Sequence, residues 1–148
     1  MNFVKGLKEF VVSFTGPEGS NFWWLNIILF ILISKAPYEG GHWVIRIDIP
    51  EQYPFQSPSV GFVNKIYHPN VDESSGSVCL DVISQKWSSI YELSHIFDHF
   101  LPQLLQEPNV ADPLNQSAAQ HLGKDPISFR KTVVDYVQRY ATMSHVIK

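Results

Sequence analysis

His68-Pro69-Asn70-Val71-Asp72-Glu73-Ser74-Ser75-Gly76-Ser77-Val78-Cys79-Leu80-Asp81 contains the only cysteine of the chain, and Trp87 follows it. A sole thiol cannot close an intramolecular disulfide or build a cysteine zinc cluster. Its useful chemistry is that of a nucleophile or an acyl carrier. Asn70, nine residues upstream, has an amide that can donate to an oxyanion or brace the backbone. No hydrophobic period holds between His68 and Ser89, and Gly, Ser, Asn and Asp are frequent there. That pattern predicts a long ordered loop carrying function on a rigid scaffold.

The flanks supply the scaffold. Phe10, Val12 and Phe14 share one side of residues 8–15, the period-two pattern of a half-buried strand. Trp43, Ile45, Ile47 and Ile49 alternate with Val44, Arg46 and Asp48 over residues 41–49, and Pro50 ends that ladder because it has no donor. Residues 59–63 make a third, shorter candidate, and short turns between strands predict an antiparallel meander. Downstream, Ile90, Leu93, Ile96, Phe97, Phe100, Leu101, Leu104 and Leu105 fall at steps of three and four, the apolar face of a helix. Pro102 must bend or break it. Asp125 before Pro126 reads as an N-cap with proline in the first turn, opening a helix that buries Phe129, Val133, Tyr136, Val137 and Tyr140. Strands first and helices after predict an α+β fold.

Composition narrows the function. The 148 residues, with a 45% hydrophobic and 17% charged share, suit one globular domain spanning 1–148. A net charge of -3 and the absence of a Lys/Arg stripe argue against nucleic acid. No Gly-rich phosphate loop or metal-ligand spacing is present, so neither a bound nucleotide nor a metal is expected. One free cysteine fits a reducing compartment, cytoplasm or nucleus. The run Phe22-Trp23-Trp24-Leu25-Asn26-Ile27-Ile28-Leu29-Phe30-Ile31-Leu32-Ile33 is twelve residues long, short of the roughly 20 that span a bilayer. Lys5 and Lys8 upstream would suit a leader, but Glu9, Glu18 and Pro37 do not, so no membrane association is expected.

Several motifs recur in a telling order: Gly16-Pro17-Glu18-Gly19, Pro37-Tyr38-Glu39-Gly40-Gly41, Tyr53-Pro54-Phe55, His68-Pro69-Asn70, Cys79-Leu80-Asp81 and Trp87. From about Leu7 to Ala141 the chain resembles the ubiquitin-conjugating enzymes, and Phe100-Leu101-Pro102-Gln103-Leu104-Leu105 with Asp112-Pro113-Leu114-Asn115 looks most like the H-type members. The resemblance implies an antiparallel four-stranded meander, a long active-site loop, a central helix and C-terminal helices. It implies that Cys79 takes ubiquitin as a thioester from the activating enzyme and passes it to a substrate lysine, usually with a ligase. ATP is consumed upstream, so no cofactor is bound. Asn70 matches the family's active-site asparagine, and Asp112 the acidic residue beside the incoming lysine. His68 and Pro69 match the supports of the loop. Phe55 and Ser88-Ser89-Ile90 match the two loops that dock ligases, and Trp87 is expected to anchor packing under the cysteine loop.

Two departures stand out. The family's opening helix is expected to be absent, because the predicted first strand lies within a few residues of Met1. Residues 21–36 stand as an apolar insertion where the family makes a tight turn. Their composition is of the kind an intron read in frame would encode, and so apolar a run has no obvious surface to bury it. These departures leave a second reading open, a catalytically impaired module on the same fold that binds ubiquitin or a ligase.

Overall fold

The computed structural model describes residues 13–14, 26–32 and 37–146. Four strands, β1 (Ser13–Phe14), β2 (Asn26–Leu32), β3 (His42–Asp48) and β4 (Ser59–Phe62), form an antiparallel sheet in sequential order. The alternation of β3 holds: Trp43, Ile45 and Ile47 are buried while Arg46 is exposed. Ile45 and Ile47 lie opposite Phe62 and Val60, so β3 and β4 present one apolar face.

The apolar run expected to be foreign to the fold supplies β2. All seven of its strand residues pair with β3, from Asn26 opposite Asp48 to Leu32 opposite His42. β-Branched and aromatic residues suit a strand flanked on both edges, and this gives part of the run a place the motif comparison did not foresee. Of the strand expected over 8–15, Ser13 and Phe14 pair with Ile28 and Ile27; the remainder, and the expected absence of an opening helix, lie outside the described residues.

The helical layer begins earlier than expected. Residues 68–89 are not loop throughout: Leu80–Lys86 forms helix α1, burying Val82 and Ile83, with Asp81 in its first turn and Lys86 in its last, as the helix dipole favours. The next helical stretch starts at Ser94 rather than Ile90, and Ile90 is 83% exposed. Ile96–Phe100 is wound in a wide turn, in which the Leu101 N–H reaches back to the Ile96 carbonyl, and α2 (Leu101–Gln106) continues from it. Pro102 explains the widening: it lacks an N–H, and its ring would collide with the carbonyl one α-turn earlier. Ile96, Phe97, Phe100, Leu101, Leu104 and Leu105 are buried against the core, as the periodicity predicts.

Helix α3 (Gln116–Lys124) starts at Asn115, whose side chain accepts from the Ala118 N–H. Helix α4 (Pro126–Tyr140) starts as expected, with Asp125 accepting from Ser128 N–H. It buries Phe129 and Val133, while Tyr136 and Val137 pack at the core margin and Tyr140 stays part-exposed. A short α5 (Met143–Val146) follows. Asn64 binds the two layers: its amide donates to the carbonyls of Tyr140 (2.7 Å) and His42 (3.0 Å) and accepts from Val44 N–H (2.9 Å).

Candidate active site

The edge of β4 positions the cysteine. Residues 71–78 fold back on themselves, with Val71 bridged to Val78 and Ser77 bridged to Gly61. The Phe62 N–H donates to the Gly76 carbonyl at 2.8 Å and the Val78 N–H to the Val60 carbonyl at 2.9 Å. The turn demands glycine at 76, where φ is +73° and a methyl group would collide with the Phe62 carbonyl oxygen. Asp72 holds the tip by accepting from the N–H and hydroxyl groups of both Ser74 and Ser75. The Ser74 hydroxyl above all, with the Ser75 donors, holds the Asp72 carboxyl down at about 2. Glu73 accepts from the Tyr136 hydroxyl and so ties the turn to α4; that bond pushes the phenol up to about 12.

Cys79 therefore ends a strand-like segment fixed to the sheet and begins α1. Its N–H donates to the Asn70 carbonyl at 3.0 Å, its carbonyl accepts from Ile83 N–H at 3.3 Å, and its side chain is half-buried at the core margin. A thiol held this way is fixed in position and still open to an acyl donor.

His68, Pro69 and Asn70 converge on that backbone. His68 is fully buried; its Nδ1 accepts from the Asn70 N–H at 2.9 Å, so Nε2 carries the proton and donates to the Leu104 carbonyl at 3.0 Å. The ring is a strut between the cysteine loop and α2, with no nitrogen left for acid–base work. Asn70, also fully buried, donates its amide to the Asn109 carbonyl (2.7 Å) and accepts from the Asn109 N–H (2.8 Å). The Pro69 carbonyl accepts from Asn115 N–H at 2.8 Å. The arc 109–115 is thus pinned at both ends to Pro69-Asn70, whose carbonyl in turn holds Cys79. Asp112 sits exposed midway along that arc, between the exposed Val110 and Leu114. Sequence reasoning missed Asn109 and Leu104, which act through their backbone and leave no residue-type signal.

Burial pushes the His68 imidazole down to about 4, against the opposing pull of its bond to the Leu104 carbonyl. Between about pH 6.5 and 4 the unfolded chain therefore binds a proton at this position that the folded chain refuses. The contribution to stability is complete above about pH 6.5 and lost as pH falls toward 4, on the order of 3 kcal/mol in all. Thermal midpoints measured from pH 7.5 to 4.5 should fall more steeply for the native chain than for His68→Gln, which begins lower and has no imidazole to protonate. Parallel pH profiles would contradict this origin.

The candidate docking residues are brought together as well. Phe55 is 85% exposed on the turn after the cis Tyr53–Pro54 bond, and Ile90 projects beyond Ser88 and Ser89. Trp87 joins the two loops by donating its indole N–H to the Pro54 carbonyl at 2.9 Å, with its ring against Tyr53 and Tyr91. It anchors the turn at Pro54 as well as the end of α1. Among the described residues no group of three or more His, Cys, Asp or Glu could hold a metal, and no helix is long and apolar enough to cross a membrane.

The family model for ubiquitin-conjugating enzymes matches residues 15–137. Over 136 residues the chain is 48% identical to ubiquitin-conjugating enzyme E2 5 of Arabidopsis thaliana, covering 92% of this chain and 65% of that protein. It is 42% identical to ubiquitin-conjugating enzyme E2-24 kDa of Saccharomyces cerevisiae over 92% of this chain and 55% of the yeast protein. It thus spans slightly under two thirds of the first relative and about half of the second. The solved E2 domain of a Toxoplasma gondii ubiquitin conjugating enzyme superposes with a TM-score of 0.73 at 29% identity, over 88% of each chain.

Proposed function

The chain belongs to the ubiquitin-conjugating enzyme family, and from that membership we propose that Cys79 carries ubiquitin as a thioester and passes it to lysine. The observation that carries this reading is the double clamp on the Cys79 backbone, between the Asn70 carbonyl and the first turn of α1, with the side chain half-exposed. The thiolate attacks the carbonyl carbon of the ubiquitin C-terminus held as a thioester on the activating enzyme. One C–S bond forms as the other breaks, and the activating enzyme's thiol leaves. Discharge replaces the Cys79 C–S bond by an amide, with the lysine amine as nucleophile. Asp112, on an arc pinned beside Cys79, is suited to orient the ammonium and take part in its desolvation. His68 and Pro69 hold the loop, and no bound cofactor is needed because ATP is spent by the activating enzyme.

Incubation with activating enzyme, ATP and ubiquitin should give a ubiquitin-sized, thiol-sensitive shift on a non-reducing gel. No shift, with retained ubiquitin or ligase binding, would assign the chain to the impaired module instead.

Ubiquitin, the activating enzyme, ligases and protein substrates are the partners of this reading, and the cytoplasm or nucleus is its compartment. Phe55, Ser88, Ser89 and Ile90 form the proposed ligase surface. An exposed aromatic held on a turn by the Trp87–Pro54 bond loses little freedom on docking, which suits an anchor residue. Phe55→Ala should weaken ligase binding by about 1–2 kcal/mol, roughly 5–30-fold, and lower ligase-stimulated discharge with charging unchanged. Undiminished stimulation would place the ligase elsewhere.

A further inference from the structure

Of the six histidines in the chain, His68 and His121 each engage both ring nitrogens, His68 with Asn70 and Leu104, His121 with Tyr67 and Ser128. His95 and His99 differ. Among the described residues no hydrogen bond or ion pair reaches either ring, although Asp98 stands between them in sequence. They are four residues apart, His95 just before the wide turn and His99 within it, so one helical face carries both. His95 is partly exposed and His99 exposed.

Their spacing is compatible with a chelate. The ring centres lie 4.8 Å apart, with planes tilted by 36°. Two imidazoles binding one ion through nitrogens at about 2.0–2.1 Å have their centres about 3.2 Å from it, and about 4.5–5.2 Å from each other at bond angles of about 90–109°. The observed centre-to-centre spacing falls inside that window. Tyr91 stacks on His95 at 3.9 Å and 13°, which fixes one ring in advance and lowers the entropy lost on binding.

We propose that His95 and His99 form a two-imidazole surface site for a divalent transition cation of the zinc and copper class. Imidazole suits these ions, and a carboxylate-preferring ion such as magnesium or calcium would find no oxygen cage here. No third His, Cys, Asp or Glu completes a set among the described residues, so water fills the remaining positions. The site stands apart from Cys79 chemistry, but Tyr91, stacked on His95, also meets edge-on Trp87, the residue joining the two proposed docking loops.

The test is calorimetric titration of the full chain with zinc chloride at pH 7.5, repeated for Cys79→Ser, His95→Ala, His99→Ala and His99→Gln. One zinc per chain should bind, and should still bind after Cys79→Ser removes the competing thiolate. Each histidine substitution should weaken binding by at least the roughly 10–100-fold that even a lost supporting group costs a metal site. Affinity should also fall on going to pH 5.5, where protons compete for the same lone pairs. The exposed His99 can be replaced without unfolding, which an unchanged thermal midpoint of the metal-free variant checks. Absence of uptake, uptake lost in Cys79→Ser, or uptake undiminished in His99→Ala would overturn the site.

Discussion

Cys79→Ala should abolish the ubiquitin adduct altogether, and Cys79→Ser should replace a thiol-sensitive adduct by one that survives reductant. The alanine variant loses the only thiol of the chain, so charging should fall to the background of the gel. In the serine variant the hydroxyl occupies the same half-buried position, clamped by the same bond from the residue 79 N–H to the Asn70 carbonyl. An oxygen ester is a poorer acyl donor than a thioester, so the adduct should accumulate and resist discharge to lysine. The substituted atom is small and the backbone clamps are unchanged, so thermal midpoints should shift little. An adduct that persists in Cys79→Ala would move the carrier to another residue.

The parts of this arrangement that could be read from sequence are those whose signal lies in side-chain type. β3 announces itself by strict alternation of Trp43, Ile45 and Ile47, and α4 by Asp125-Pro126 and its apolar spacing. The cysteine, its upstream asparagine and the aspartate before Pro113 stand out because their chemistry restricts what can replace them. What stayed hidden is carried by the backbone. α1 is seven residues long, too short for its period to emerge from the surrounding Ser and Asp, and is held by tertiary contacts of Val82 and Ile83. β2 stayed hidden for the opposite reason. A run apolar at nearly every position has no period, so it shows no strand until its pairing with β3 is known. The central helix starts only at Ser94, after Tyr91 has packed edge-on against Trp87 rather than joining a turn of helix. The bond from Asn70 to Asn109 could not be foreseen, because it joins a side chain to backbone 39 residues away.

That bond decides how Asn70 should behave. Sequence alone left it as either an oxyanion donor or a loop brace; its full burial and its two bonds to the Asn109 backbone favour the brace. Asn70→Ala leaves the Asn109 N–H and carbonyl without partners, at about 1–3 kcal/mol for each group that water cannot reach. The arc bearing Asp112 then loses one of its two attachments and keeps only the Pro69–Asn115 bond. Charging, which needs the thiol and the Cys79 backbone clamp, should stay near normal, because the residue 70 carbonyl is untouched. Discharge to free lysine, which needs the arc in register, should slow by on the order of 10²-fold, the scale of a misplacement of about 1 Å. The same scale is expected for one missing oxyanion donor, so rate alone does not separate the roles. Stability does: the brace predicts a lower thermal midpoint together with the slower discharge, and Asp112→Ala should slow discharge with the midpoint unchanged. A slow Asn70→Ala variant with native stability would assign the amide to the oxyanion, and the bonds to Asn109 would then be a resting position that the amide leaves when lysine attacks.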